Sequence, residues 1–377
     1  MKSSQTKGRS GCIFILVSFS LLILLITSVS KQSSEFISDW LKNIDTTNVA
    51  LSLFESQNHY FQTNDENNYS LISLGTQLIS SIDFNDPNSF LRQEIPGYRF
   101  FDTKIHIAGE GTNFSNIPYE STPPLEVLLK EREVAEELLK EIQEENIEKN
   151  WETLEKKLED EVVFIYQSHS WESFLPLLKD DGLNPDEATS NNPKANVIAL
   201  GEILQSELES KGIRAKHDTT NMTDALLGRG WNYNQSYILS RETILEVLGQ
   251  SNSIRYFVDI HRDSARRDIT TIDIENKSYA RLFFVVGEGH KNFQENLELA
   301  ELLHFALEKK YPGLSRGVFT KDSTQGNGKY NQDLSNRSIL LEVGGVDNNL
   351  EELKNGIHAF SDVFSNFIWE EKGAGEF

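Results

Sequence analysis

Residues 161–172 read EVVFIYQSHSWE: a β-branched and aromatic run from Val162 to Tyr166, then His169, then Glu172 three positions later. The run has the composition of a strand buried in a sheet. The side chains that follow it would emerge at the strand's C-terminal edge, where open α/β sheets place their ligands. IRYFVDIHRDS (254–264) repeats the arrangement and carries His261, and SILLEVGG (338–345) carries Glu342.

Outward from these runs, strand-like segments alternate with amphipathic ones. Strands are expected at Val162–Tyr166, Ile213–Lys216, Tyr256–Ile260, Arg281–Val286 and Ile339–Val343. Helices are expected at Asn196–Gly212, Tyr237–Leu248 and Asn292–Tyr311. The pattern predicts an α/β fold, a central, mostly parallel twisted sheet flanked by helices, over residues 161–371. Upstream, residues 91–160 form an accessory region and spacer. Its Gly- and Pro-punctuated part reads as turns and short strands, and Leu125–Leu158 reads as an amphipathic helix or helical hairpin.

The N-terminus has a different character. Cys12–Val29 is uncharged and long enough to cross a hydrocarbon core of roughly 30 Å as a helix. Lys2, Lys7 and Arg9 precede it, which predicts a cytoplasmic tail (1–11), a single-pass membrane anchor (12–30) and an extracytoplasmic stem (31–90). A cleaved signal peptide is the competing reading, but no clear small-x-small cleavage site precedes Lys31. Across all 377 residues Asp and Glu outnumber Lys and Arg 58 to 36, a formal charge of −22. That excess argues against a nucleic-acid partner. The single cysteine, Cys12, rules out an intrachain disulfide and a Cys-rich zinc knuckle, so a metal would need His and carboxylate ligands.

A hydrolytic zinc site takes three protein ligands and keeps a fourth position for water. His169 and Glu172 form an H-x-x-E pair on the turn leaving one strand, and His261 closes the set from another. Glu342, beside Gly344 and Gly345, fits a general base. It could instead be a salt-bridged strand residue. His217, in AKHDTTN, could be a further ligand, a transition-state donor or a loop histidine. Asp259 and Asp263 flank His261, and either could accept its second ring N–H. Arg262 and Arg241 could pair locally or hold a substrate carboxylate. In GNGKYNQDLS (326–335), Tyr330, Asn331 and Gln332 offer donors and acceptors for a substrate amide.

At these residues the chain resembles the stage II sporulation protein P family of membrane-anchored peptidoglycan hydrolases in spore-forming bacteria. The resemblance runs from EIPG and AGEGTNF through PYESTPP, FIYQSHSWESFLP, DIHRDS, SYARLFFVVG, YPGLSRGVF and YNQDLS to LLEVGGVDNN, in order. It implies that residues 161–371 are a zinc amidase-like catalytic domain. The implied activity is N-acetylmuramoyl-L-alanine amidase with Zn2+ as cofactor, with endopeptidase action on cross-links as a second activity. The implied setting is septal wall degradation and engulfment during sporulation, at the septal or engulfing membrane. By position His169 and His261 match the family's site histidines, and Glu342 matches the catalytic glutamate of related amidases. Glu172 completes the metal set on spacing, with Glu202 and His217 as the other candidates. The implied partners are peptidoglycan and the stage II sporulation proteins D and M. Two other readings remain: a wall- or partner-binding module without catalysis, and a metallocarboxypeptidase, for which Arg262 would be the carboxylate-binding group.

Overall fold

The computed structural model describes residues 104–117, 123, 125–130, 132–135, 154–179, 184–321 and 328–375. The expected tail, anchor and stem lie outside the described residues. No helix among the described residues is long and apolar enough to cross a membrane.

In chain order the elements are strands β1 (Lys104–Ala108) and β2 (Glu161–Tyr166), helix α1 (Val197–Ser210), strand β3 (Arg214–His217), and helices α2 (Met222–Gly228) and α3 (Ser236–Gln250). Strands β4 (Tyr256–Asp263), β5 (Thr271–Ile274), β6 (Lys277–Ala280) and β7 (Leu282–Gly287) follow. Helix α4 (Phe293–Lys310), strands β8 (Ser315–Lys321) and β9 (Ser338–Gly345), and helix α5 (Leu350–Ala374) complete the set.

Seven strands form one sheet in the order β1-β8-β7-β9-β4-β2-β3, and β5 and β6 pair as a separate antiparallel ribbon. β9, β4, β2 and β3 run parallel to one another. β7 is antiparallel to β9, parallel to β8, and so begins a reversed half of the sheet that β1 closes antiparallel. The expected α/β fold with a central, mostly parallel sheet is therefore present, as a mixed sheet.

Both faces of the central strands are covered, which is why their sequences read as nearly unbroken apolar runs. One face carries Val163, Ile165, Val258, Ile260, Leu282, Phe284 and Leu341, packed with residues of α1, α4 and α5 in the large core. The opposite face carries Phe164, Tyr166 and Phe257 against Ile244 and Val247 of α3. Further along that face, Phe283, Val285, Phe319 and Leu340 meet Tyr237 and Tyr330. Asp259, His261 and Glu342 fall on this second face by the period-two alternation of β4 and β9.

Local signals explain the ends of α1. The Asn196 side chain accepts from the Ile198 N–H and caps its start. Past its end, Gly212 sits at φ +78, where a Cβ would lie 2.1 Å from the Lys156 carbonyl oxygen.

Two expectations need correction. Leu125–Leu158 is not helical throughout: the described helix there covers only Leu125–Leu128, and Val134 forms an extended bridge to Leu178. Val134 and Leu158 contribute to the large core, so apolar residues read as a helix stripe serve an irregular chain packed on the domain. The second correction is an addition. The 25-residue α5 and the strand β8 were not anticipated, whereas β1 falls in the stretch read as turns and short strands. Gly317 interrupts β8 and disguises its alternation.

Candidate metal centre

The site is built where the turn after β2 folds onto β4. The Ser168 N–H donates to Asp259 Oδ1 at 2.9 Å, and its hydroxyl donates to Asp259 Oδ2 at 2.7 Å. The same hydroxyl lies 2.9 Å from His261 Nε2. Asp259 Oδ1 lies 3.2 Å from that nitrogen. Because the Ser168 proton goes to Asp259, His261 Nε2 must be the donor here, which leaves a lone pair on Nδ1.

That Nδ1 faces Glu172 Oε2 at 3.4 Å, and His169 Nδ1 faces Glu172 Oε1 at 3.6 Å. Ligand atoms of His169, Glu172 and His261 all lie within 4.8 Å of one another, and the three residues are buried. Glu172 is fixed by its backbone, whose carbonyl accepts from the Val197 N–H at 2.9 Å. Its Oε2 also accepts from the Arg262 N–H at 2.9 Å.

These separations are too long for good hydrogen bonds. His169 Nδ1 and Nε2, His261 Nδ1 and Glu172 Oε1 have no hydrogen-bond partner although they are buried. Orphaned polar atoms of this kind call for an explanation. Ligand atoms about 2 Å from one zinc-sized ion in tetrahedral geometry stand roughly 3.3 Å apart, close to the observed spacings. Two imidazoles and a carboxylate are the donor set such an ion takes, so these residues fit a divalent metal.

The electrostatics agree. Burial alone would raise the Glu172 carboxyl, but the charge of His261 and the nearness of both imidazoles hold it well below the usual carboxylate range. Burial would lower His261, yet Asp259 and Glu172 raise it well above the usual imidazole value. A metal held by these residues would take the place of that proton.

Glu342 pairs with His261 across the parallel β4–β9 ladder. It is buried on the same sheet face, one strand away. An aromatic wall closes over His169. Trp171 stacks on it with centroids 5.1 Å apart, and Tyr233 and Tyr237 approach at 4.8 and 5.2 Å.

The other expected residues separate into those at the site and those beside it. Asp259 is the acceptor for His261, and Asp263 instead pairs with Arg316. His217 meets Gln167 at 3.1 Å outside the ligand cluster, and burial lowers its pKa to about 4. Glu202 is exposed on α1. The Arg262 guanidinium donates to the Ala188 carbonyl at 3.0 Å, within the field of Glu172 and Glu342. Arg241 grips Asp333 with two bonds of 2.7 and 2.8 Å. Asn331 donates to Tyr237 O and Ser240 Oγ, and Gln332 bonds the Gly287 N–H and the Val285 carbonyl, so these amides brace α3 and β7. Tyr330 packs against Tyr237 at 5.4 Å. Ser168, Trp171, Tyr233 and Tyr237 were missed. Only Ser168, adjacent to His169, left a trace in the sequence.

The chain is 46% identical over 330 residues to the Stage II sporulation protein P of Bacillus subtilis (strain 168), covering 85% of this chain and 80% of that protein. A crystal structure of an N-acetylmuramoyl-L-alanine amidase from Clostridium difficile 630 aligns with a TM-score of 0.32 at 14% identity, over 57% of this chain and 98% of that one. The family model for Stage II sporulation protein P (SpoIIP) matches residues 85–365, spanning all three ligand candidates and Glu342, and the chain therefore belongs to the stage II sporulation protein P family.

Proposed function

We propose that the protein is a zinc-dependent peptidoglycan hydrolase. It cleaves the amide between lactyl-muramic acid and the L-alanine of stem peptides, with endopeptidase action on cross-links as a second activity. The observation that carries this reading is the set of buried, unbonded ligand atoms of His169, Glu172 and His261, one strand from a buried carboxylate on Glu342. Family membership sets the substrate class and the sporulation setting.

Zinc held by His169, Glu172 and His261 would polarise the scissile carbonyl and acidify water. The remaining work falls to the chain. Glu342 takes a proton from the attacking water and returns it to the departing amine nitrogen, so one C–N bond breaks as one C–O bond forms. Asp259 and Ser168 hold His261 in its ligand tautomer. Against the metallocarboxypeptidase reading stands the bond that the Arg262 guanidinium already makes to the Ala188 carbonyl. A purely binding role gives the orphaned imidazoles no purpose.

In this proposal residues 12–30 anchor the enzyme in the septal or engulfing membrane, with peptidoglycan outside as substrate and the stage II sporulation proteins D and M as membrane partners. The deciding measurement is mass spectrometry of fragments released from purified wall by the full chain. Free peptides beginning with L-alanine are expected, and their absence would reject amidase action. Glu342→Gln should keep its zinc and release none. Metal content should vanish in Glu172→Ala and persist in Glu202→Ala and His217→Ala.

A further inference from the structure

Strand β8 carries a bulge that changes where one cation points. Between the pairs Leu282↔Ser315 and Phe284↔Val318, β7 advances two residues while β8 advances three. Gly317 takes the extra position at φ +121, where a Cβ would lie 2.0 Å from the Ile107 carbonyl oxygen, so only glycine fits. Strict alternation would put Arg316 on the face of Val318, in the large core. With the bulge, Ser315 keeps to that side, where its hydroxyl meets His304 Nδ1 of α4 at 2.7 Å. Arg316 crosses to the other side, its guanidinium 4.9 Å over the Phe283 ring.

The ladders set Phe283 opposite Glu342 and Glu342 opposite His261. Arg316, Phe283, Glu342 and His261 therefore form one row across four neighbouring strands. Arg316 Nη1 bonds Asp263, two residues past His261 on β4, so the guanidinium bridges over β9, the strand of Glu342. Nη2 donates to the Asn116 carbonyl at 2.6 Å. Arg316 is 1% exposed, and its Nε–H is buried with no hydrogen-bond partner.

Each Nη group makes one of these bonds, and the Nε–H is the donor left buried without a partner. The unbonded donor lies on the sheet face that carries the candidate base, with Phe283 between them in the row. We propose that Arg316 is a catalytic residue, donating its Nε–H to the carbonyl oxygen of the scissile amide as negative charge gathers there. The inference rests on the amidase reading above. The guanidinium transfers no proton: water supplies the oxygen that joins the carbonyl carbon, the C–N bond breaks, and the amine departs with a proton relayed by Glu342. Asp263 and Asn116 hold the donor in place before charge develops, which is what makes such a group effective. Asp263 is the positioning residue.

The test compares full-length wild type, Arg316→Lys, Arg316→Ala and Asp263→Asn on a soluble muropeptide, with zinc content and thermal midpoint measured alongside. Arg316→Lys should lose about 100-fold in kcat, as removal of one such donor does, with KM and zinc content kept. Added guanidinium should restore part of the kcat of Arg316→Ala, and Asp263→Asn should lose less than either. An Arg316→Lys variant of undiminished kcat overturns the proposal. So does a loss that tracks missing zinc or a fallen midpoint, which would make Arg316 a strut. Should Arg316→Ala fail to fold, Arg316→Lys alone decides. A wild type that releases no L-alanine peptides rejects the amidase reading and this inference together, whereas an active wild type with an unimpaired Arg316→Lys rejects only the inference.

Discussion

Ser168 supports the candidate metal site without offering a ligand of its own. Its hydroxyl gives its proton to Asp259 and accepts from His261, and its backbone N–H draws the turn onto β4. Ser168→Ala removes the acceptor at His261 Nε2 and leaves Asp259 to fix the tautomer alone. Zinc affinity should fall about 10- to 100-fold, as for other lost ligand supports, measured by titration against a competing chelator. His217 gives a prediction of a different kind. Burial lowers its folded pKa to about 4, from an ordinary 6.5. Between those values the unfolded chain binds the extra proton, so His217 leaves stability intact above about pH 6.5 and erodes it as pH falls towards 4. The full effect is roughly 3 kcal/mol, taken at 1.36 kcal/mol per unit. Denaturant melts at pH 7 and pH 4.5 should show a steeper loss in the wild type than in His217→Gln, and equal slopes would reject the assignment.

At the scale of elements, α5 seals the large core. Phe360 and Phe364 stack at 5.2 Å, Tyr256 of β4 meets Phe364 edge-on at 5.4 Å, and both phenylalanines are fully buried. Phe364→Ala should cost about 3–5 kcal/mol through lost burial and the cavity left behind, read as a lower denaturant midpoint. The sequence made the central strands legible because their β-branched and aromatic runs are short, dense and bounded by polar turns. α1 was legible through its Asn196 cap and its closing Gly212. β8 was not, because SRGVFTK places a glycine and a bulge where a clean period of two would have marked it. α5 begins with a capping box at Asn349 and Glu352 that passed unread. The site was legible for a related reason: His169, Glu172, His261 and Glu342 sit at or beside ends of readable strands. Tyr233 and Tyr237 reach it from elements whose placement depends on the whole fold. The roles expected of Asn331 and Gln332 rested on composition, which carries no information about which way an amide faces.

For the molecule as a whole, the ligands come from chain segments about ninety residues apart, joined only through the sheet. No such cluster can exist in the unfolded chain, so zinc taken up by it would stabilise the native state by mass action. A metal present at about a thousandfold over its Kd should add about 4 kcal/mol and raise the thermal midpoint, whereas Glu172→Ala should show no such rise. The sheet's reversal after β9 serves the same end, since β7 and β8 deliver Phe283 and Arg316 to the row that holds Glu342 and His261. One contact in the aromatic wall also gives the molecule a built-in optical signal. The Trp171 indole lies face to face with the His169 ring, so a cation seated on that imidazole alters the electric field at the chromophore. Its emission should shift or quench as the ion arrives, and Trp171→Phe should silence that part of the signal while the other four tryptophans continue to fluoresce.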